Sequence, residues 1–271
     1  MNNHLITQFL AAVWQDYLQL TPQIELIQAA LIQHNPILIN DHIAFRTFDI
    51  PAMDIATLEK HLISLDYKLL DNYYFPEKHL SACAYIHPDP SIAKIFISQL
   101  HIDQLSEQSQ QIISNKLSTR ASLPSDNSIF YCGRRWGLPS WEEYLYLRQE
   151  SEYAAWLITL GFHANHFTLD MNAFNANSDR QLDWLGLIKL MESIHISMNP
   201  EGGIIKGSPE VLLEQASTLA DEINIEFDQG EKAIKSCFYE FAKRFNQDDG
   251  QEYKGFVAAN ANQIFSSTNS A

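Results

Sequence analysis

Three apolar segments of this sequence each contain one side chain that could bind a transition metal. His42 lies in Asp-His-Ile-Ala-Phe-Arg, His166 in Ala-Asn-His-Phe-Thr, and Glu240 in Cys-Phe-Tyr-Glu-Phe-Ala. Buried strands rarely use imidazole or carboxylate groups for packing alone. Two imidazoles and one carboxylate form the facial ligand set of non-haem Fe(II) oxygenases, which leaves positions open for substrate and O₂. The residue types therefore predict a catalytic metal site at His42, His166 and Glu240.

Purely structural roles also fit the same residues. A single histidine in an apolar strand is more often a hydrogen-bonded core residue than a metal ligand. The charge of Glu240 could be neutralised by Lys243 or Arg244. Arg46 shares a strand face with His42, because strand side chains alternate with a period of two, and it could be a structural partner of Asp41 or Asp49. Spacing alone leaves these alternatives open.

The elements around these residues repeat in outline. The sequence predicts a strand at 41–48, a helix near 53–65, and β-like runs at 67–74, 81–87 and 94–100. It then predicts a strand at 164–171, a helix at 178–194, β-like runs near 203–207, 223–227 and 233–245, and a helical insertion at 209–222. The order β-α-β-β-β thus occurs twice. The predicted fold class is α+β, with two such units forming a curved, partly open barrel-like sheet flanked by helices.

The organisation along the chain follows from these elements. We expect a single catalytic domain over residues 1–254, with N-terminal helices at 1–36, the first unit at 41–101 and the second at 164–245. One long helix is predicted over 140–160 between the two units, starting with a capping box formed by Ser140 and Glu143. The small, polar residues of 255–271 predict a flexible tail.

Composition excludes several partners. The chain has 33 acidic and 18 basic side chains, for a formal charge of −15. An acidic chain without a basic stripe argues against nucleic acid and against anionic membranes. No apolar run approaches the ~18 residues that a membrane span requires. The three cysteines are far apart in sequence and fit a reducing compartment, so we expect a cytoplasmic protein; no oligomeric state is predicted.

At the candidate site the sequence resembles a known family, once grouped as a domain of unknown function and now called 2-oxoadipate dioxygenase/decarboxylase. The matching segments are Asp41-His-Ile-Ala-Phe-Arg-Thr-Phe, Phe75-Pro-Glu-Lys, Lys94-Ile-Phe-Ile-Ser, Ser151-Glu-Tyr-Ala-Ala-Trp, Ala164-Asn-His-Phe-Thr, Gly207-Ser-Pro-Glu-Val-Leu-Leu and Phe238-Tyr-Glu-Phe-Ala-Lys-Arg. They occur in the same order over most of the chain.

The resemblance implies a fold similar to the vicinal-oxygen-chelate class and an Fe(II) cofactor held by His42, His166 and Glu240. It also implies that His42 and Arg46 contact the substrate, with Arg46 holding a carboxylate. The implied reaction converts 2-oxoadipate and O₂ into 2-hydroxyglutarate and CO₂ in lysine degradation. The partners would then be a small 2-oxo acid and O₂.

Two other functions remain compatible with the sequence. The same ligands could hold Zn²⁺ or Mn²⁺ in a hydrolase or isomerase, with a metal-bound water as the nucleophile. The cup could also belong to a non-catalytic module that binds a small organic acid. Activity without oxygen would favour the former, and a protein that binds no metal would favour the latter.

Overall fold

The computed structural model describes residues 2–176, 178 and 180–268. Its α-helices are α1 (Asn2–Leu20), α2 (Ile24–Ile32), α3 (Ile55–Ser64), α4 (Glu107–Ser118), α5 (Trp141–Glu150), α6 (Glu152–Leu160), α7 (Met171–Ala176), α8 (Trp184–Ser193) and α9 (Ala258–Ile264). Its β-strands are β1 (Asn40–Phe48), β2 (Lys68–Phe75), β3 (Leu80–Ile86), β4 (Lys94–Leu100), β5 (Ala164–Asp170), β6 (Lys206–Ser208), β7 (Leu213–Ser217), β8 (Glu222–Phe227), β9 (Gly230–Lys235) and β10 (Phe238–Arg244).

Eight of these strands form one curled, mixed sheet, in the order β2-β3-β4-β1-β5-β10-β7-β6. The first half is the predicted β-α-β-β-β unit, β1, α3, β2, β3 and β4, and β1 pairs in parallel with β4. The halves meet where β1 runs antiparallel to β5. The predicted fold class, an α+β protein with a curved, partly open sheet and flanking helices, is confirmed.

The two central strands, β1 and β5, have aromatic side chains that are buried on the outer face of the sheet. On β1, Phe45 points outward and packs against Phe130, whose ring also contacts Phe9 of α1. On β5, Phe167 packs outward against Trp14 and Tyr17 of the same helix. Burying each aromatic side chain contributes about 1.5–3 kcal/mol. With the outer face covered by helices, the alternate residues of β1 and β5 face the concave side.

The register between β1 and β5 relates the two halves by an approximate twofold axis. His42 lies opposite Thr168 and Ala44 opposite His166, so the centre of the pair is Ile43 opposite Phe167. The axis therefore relates His42 to His166, β4 to β10, β3 to β7 and β2 to β6. Strand pairing, rather than any visible repeat in the sequence, places the two histidines at equivalent positions.

The second half differs from the predicted element order. The helical insertion predicted at 209–222 is wrong: after a short 3₁₀ turn at Pro209–Val211, residues Leu213–Ser217 form β7. The run near 223–227 is a strand, but β8 pairs with β9 in a separate two-stranded hairpin outside the main sheet. The run at 233–245 is two strands, β9 and β10. Apolar character alone did not distinguish a buried strand from a helix, nor which sheet a strand joins.

Two further predictions need correction. The helix predicted over 140–160 begins with the expected capping box, but it is broken at Ser151 into α5 and α6, since the Ser151 side chain caps the second helix by accepting from the Ala154 N–H. The predicted flexible tail is wrong for residues 255–268, which contain α9 and a 3₁₀ turn (Phe265–Thr268) with buried side chains; residues 269–271 lie outside the described residues. Composition predicted the tail from its small polar residues, which are instead hydrogen-bonded in the core.

Candidate metal centre

Three side chains from three strands converge on the concave face. One nitrogen of His42 on β1, one nitrogen of His166 on β5 and one carboxylate oxygen of Glu240 on β10 all lie within 4.8 Å of one another. The His166 Nε2 to Glu240 Oε2 distance is 3.3 Å, and the His42 Nε2 to Glu240 Oε1 distance is 3.6 Å. All three residues are buried. The candidate ligands named from the sequence are therefore brought together by the fold.

Glu240 is a fully buried carboxylate whose two oxygens differ. Oε1 accepts a hydrogen bond of 2.7 Å from Nε2 of Gln215, whereas Oε2 has no hydrogen-bond partner. Burial raises the pKa of Glu240, and the nearby His42 and Gln215 only partly oppose that shift. Neither alternative partner pairs with it: Lys243 is exposed, and Arg244 binds a different carboxylate.

That other carboxylate is Asp41, which holds His42. His42 Nδ1 lies 2.8 Å from Asp41 Oδ2, and because a carboxylate only accepts, Nδ1 carries a proton. In the neutral ring the lone pair is then on Nε2, which lies 3.1 Å from Thr168 Oγ1. Arg244 donates to both oxygens of Asp41, at 2.6 and 2.9 Å, and Lys94 donates to Oδ1 at 3.1 Å. Burial opposes ionisation, but these two cations outweigh it and hold the pKa of Asp41 well below its usual range.

His166 is supported by a neutral group instead. Its Nδ1 lies 3.1 Å from Asn165 Oδ1, an acceptor, so Nε2 again carries the lone pair and faces Glu240. Its ring stacks on Phe238 at a centroid distance of 4.5 Å. Burial, reinforced by His42 and Arg46, lowers the pKa of His166 well below its usual value, which favours the neutral imidazole that metals bind.

The resulting donor set fits a cation. In the neutral imidazoles, the Nε2 lone pairs and the unpartnered Oε2 of Glu240 lie close together; Thr168 Oγ1 can donate to His42 Nε2 at 3.1 Å, but no donor hydrogen lies between His166 and Glu240. Such a group of acceptors is unfavourable unless a positive charge lies among them. Imidazole and carboxylate ligands suit Fe, Zn and Mn. His42, His166 and Glu240 thus form a buried group that could hold a metal.

Arg46 lies on the same cavity but already has partners. Its Nη1 donates to both oxygens of Glu152, at 3.3 and 3.2 Å, and its Nη2 donates to Thr268 Oγ1 at 2.9 Å. The guanidinium carbon lies 4.9 and 5.0 Å from the ring centroids of Tyr153 and Trp156. Its buried Nε has no partner. Neither Asp41 nor Asp49, the partners considered from the sequence, binds it; Asp49 instead pairs with His101.

The C-terminal segment, residues 256–268, covers the centre. Phe256 contacts the His42 ring edge-on at 4.8 Å, and Ala261, Ile264 and Phe265 complete the lining. The cavity beside these residues has a volume of about 30 Å³, room for a water molecule or two. A segment that the composition predicted to be flexible therefore forms one wall of the site.

A family model matches this chain over residues 3–132 and 130–249, and its description is 2-oxoadipate dioxygenase/decarboxylase. The two matches together cover most of the sequence, including all three converging side chains. The chain belongs to the 2-oxoadipate dioxygenase/decarboxylase family. It is therefore a member of an enzyme family of the oxidoreductase class.

Curated relatives and solved structures agree with this family membership. The chloroplastic 2-oxoadipate dioxygenase/decarboxylase of Arabidopsis thaliana is 32% identical over 256 residues, covering 84% of this chain and 67% of the relative. A crystal structure of the rice (Oryza sativa) hydroxyglutarate synthase in complex with 2-oxoadipate superposes with a TM-score of 0.85, at 27% identity and 98% and 92% coverage of the two chains. A Shewanella frigidimarina protein described as a candidate hydrolase has the same TM-score, at 38% identity and 94% and 98% coverage.

A more distant structure supports the fold alone. A candidate glyoxalase-superfamily protein from Ralstonia eutropha superposes with a TM-score of 0.78 at 20% identity, covering 95% of this family member and 87% of its own chain. This agrees with the predicted vicinal-oxygen-chelate-like architecture. Over the part of the chain that the structure describes, no helix combines the length and apolar character of a membrane span.

Sequence reasoning missed several residues that shape the 2-oxoadipate dioxygenase/decarboxylase site. Asp41 and Asn165, which hold the two histidines, each precede a histidine directly, so the paired dipeptides Asp-His and Asn-His were an available signal. Glu152 lies in one of the family-like segments, Ser151-Glu-Tyr-Ala-Ala-Trp. Gln215 and the C-terminal segment gave no such signal, because their partners are far away in sequence. By contrast, His163 pairs with Asp16 away from this site.

Proposed function

We propose that this protein is an Fe(II)-dependent enzyme that converts 2-oxoadipate and O₂ into 2-hydroxyglutarate and CO₂, with His42, His166 and Glu240 as metal ligands. The observation that carries the proposal is the buried cluster of three acceptors around the unpartnered Oε2 of Glu240. Membership of the family, and the 2-oxoadipate bound in the rice relative, support the substrate class.

Fe(II) bound there would supply Lewis acidity toward the 2-oxo acid and a centre for O₂ activation. The protein's part is to hold the ligands. Asp41 and Asn165 fix the tautomers of His42 and His166, so that both Nε2 lone pairs face the site. With His42, His166 and Glu240 as the only protein ligands, a bound metal would remain accessible to a small 2-oxo acid.

Arg46 is the residue we propose for the distal carboxylate of the substrate. It lines the cavity beside the three ligands, and its buried Nε lacks a partner. A substrate carboxylate would bind the guanidinium of Arg46 beside Glu152, or in place of Glu152. Its bidentate contact is one that lysine could not make. Arg46 would thereby select dicarboxylic 2-oxo acids.

Substrate access requires movement, since a six-carbon diacid does not fit into about 30 Å³. Arg46 and Phe265 also line an outer cleft of about 400 Å³, whose other charged lining residues are the cations Lys78 and Arg148 and the anions Glu77, Glu150 and Glu152. We propose that the diacid first binds in this cleft and that displacement of Phe265 then admits it. Local cations are needed for this step because the chain as a whole is acidic.

A hydrolase is the second candidate function, favoured by the description of the Shewanella protein. There a metal on the same ligands would activate water, and O₂ would not be consumed. Conversion of the substrate in the strict absence of O₂ would support the hydrolase and contradict the oxygenase.

The experiment combines metal analysis with oxygen consumption. Protein prepared without oxygen should bind one iron per chain, and an O₂-electrode trace should show uptake with 2-oxoadipate and equimolar CO₂. His42→Ala should abolish iron binding and O₂ uptake, whereas the control His163→Ala should change neither, because His163 lies outside the site. Uptake that survives His42→Ala contradicts the proposal.

Substrate selection needs its own measurement. Arg46→Ala should raise KM for 2-oxoadipate far more than for a monocarboxylic 2-oxo acid of similar length. An equal loss with both substrates would contradict the role of Arg46.

Two finer assignments are also proposals. The product fits a place in lysine degradation, which growth of a deletion strain on lysine would test. All three cysteines are free thiols, which supports a reducing compartment such as the cytoplasm; the Arabidopsis relative is chloroplastic. Localisation of a tagged full-length protein tests this assignment.

A further inference from the structure

A chain of buried amides connects the C-terminal segment to the candidate metal ligand Glu240. Asn260 of α9 donates from Nδ2 to Gln215 Oε1 at 3.1 Å, and Gln215 donates from Nε2 to Glu240 Oε1 at 2.7 Å. Asn260 and Gln215 are each 3% exposed, and Glu240 is fully buried. Solvent therefore does not compete for these hydrogen bonds.

The donor-to-acceptor direction of these hydrogen bonds is fixed at Asn260. Besides Gln215, Asn260 Nδ2 lies 3.3 Å from the Leu213 carbonyl oxygen and 3.5 Å from the Lys206 carbonyl oxygen. Backbone carbonyls only accept, so the amide nitrogen of Asn260 must face them, and Asn260 is a donor toward Gln215. Gln215 must then direct its oxygen to Asn260 and its nitrogen to Glu240. Two backbone carbonyls thus determine that Glu240 receives a donor.

The approach of Asn260 depends on the local backbone. Gly207 has a φ of +82°, and a Cβ at that position would overlap the Leu213 carbonyl oxygen and the Asn260 amide. Only glycine adopts this conformation without a side chain in the way. Glycine at position 207 therefore leaves the space in which the Asn260 amide lies against β6 and β7.

We propose that Gln215 and Asn260 are positioning residues that hold Oε1 of Glu240 and leave Oε2 as the single oxygen offered to a metal ion. This inference rests on the proposed function, since it needs a metal at His42, His166 and Glu240. It deepens that function by making the C-terminal helix part of the ligand geometry. Without the amide chain, the Glu240 carboxylate could rotate and offer either oxygen or both.

The probe is Co²⁺ alone, titrated into metal-free full-length protein and followed by its visible absorption. Gln215→Met keeps the length and volume of the side chain but removes the donor to Glu240. We expect Gln215→Met to weaken Co²⁺ binding tenfold to a hundredfold and to change the absorption spectrum, as loss of an outer-shell hydrogen bond does in other metal sites. Asn260→Ala should weaken binding in the same direction.

Asn199→Ala is the matched control. Asn199 is a buried asparagine that also holds the C-terminal segment, donating to Gln263 O and to the hydroxyls of Ser266 and Ser267, but it has no contact with Gln215. We expect its Co²⁺ affinity to stay within twofold of the unaltered protein. The thermal midpoint of each metal-free variant separates a folding defect from a loss of affinity.

The outcomes separate this inference from the proposed function. Gln215→Met with unchanged affinity and spectrum, or equal losses in Asn260→Ala and Asn199→Ala, overturns the positioning role even if 2-oxoadipate is consumed. Losses in Gln215→Met and Asn260→Ala alone support it even if the unaltered protein takes up no O₂. If the unaltered protein binds no Co²⁺, both are wrong.

Discussion

The two halves of the curled sheet place a histidine at the same position but differ beside it. On β1 and β4, Ala44 pairs with Phe96; at the equivalent point on β5 and β10, Thr168 pairs with Glu240. The first half thus has a phenylalanine where the second has a carboxylate. Two symmetric histidines with only one carboxylate give three candidate ligands rather than four, and three ligands would leave positions open for other molecules.

The halves also differ in how each histidine is held. The residue before each histidine contacts its Nδ1: Asp41 in the first half and Asn165 in the second. Asp41 is ionised and paired with Arg244 and Lys94, whereas Asn165 is neutral and its Nδ2 has no partner. The shared backbone thus supplies the positions of the two histidines, and single residue differences between the halves supply the unequal charge.

Glu240→Gln removes the carboxylate that only the second half of the sheet contributes. We expect it to have the largest effect on metal binding. Loss of the charged ligand should abolish metal binding and reduce O₂ uptake to background. In the metal-free protein it should instead stabilise the fold by about 1–3 kcal/mol, because a buried, half-satisfied carboxylate is removed. Metal titration and denaturant unfolding of the same sample measure both effects. A variant that keeps its metal would show that the carboxylate is not a ligand.

Asp41→Asn makes the first half resemble the second. It should weaken metal binding tenfold to a hundredfold, because the supporting carboxylate of His42 is lost. It should also lower the free energy of unfolding by about 3–5 kcal/mol, since Arg244 and Lys94 would be left without their buried counter-charge. Urea unfolding of the metal-free protein separates this stability loss from the metal effect. Retained stability would mean that the ion pairs contribute little.

Asn165→Ala removes the residue that holds His166 in the second half. We expect it to reduce stability and metal affinity much less than Asp41→Asn does. The hydrogen bond is between neutral groups, so we expect about 1 kcal/mol of stability and less than a tenfold change in metal affinity. The same titration and unfolding measurements apply. Losses as large as those of Asp41→Asn would contradict the unequal support of the two histidines.

Phe96→Leu should have the smallest effect on the metal. Phe96 packs against Phe256 and Tyr73, on the side of the site that lacks a ligand. We expect metal affinity within twofold of the unaltered protein and a stability loss of about 1.5 kcal/mol or less. Thermal unfolding and Co²⁺ titration check this. A strong loss of metal affinity would show that the apolar half of the site positions the ligands as well.

Much of the site could be predicted from local sequence. Strand periodicity correctly placed His42 and Arg46 on one face, with Ala44 between them. The first β-α-β-β-β unit was also predicted, because each of its strands is a short apolar run bounded by turns. In the second half the β8–β9 hairpin interrupts this order, and β7 was misassigned as part of a helix because apolar character alone fits either structure.

The support of the ligands could not be predicted in this way. Asp41 and Arg244 are 203 positions apart, and Arg46 and Thr268 are 222 apart. Composition even gave the wrong expectation for residues 255–268, because small polar residues are as suitable for buried amide and hydroxyl networks as for a flexible tail.

The sequence by itself determined which residues could be ligands and which of them share a strand face, because side-chain alternation is a property of a few consecutive residues. Only the tertiary structure decided that the three strands adjoin, which acceptor remains unpartnered, and which segment closes the cavity. Those features depend on pairing and packing between distant parts of the chain, and no local pattern encodes them.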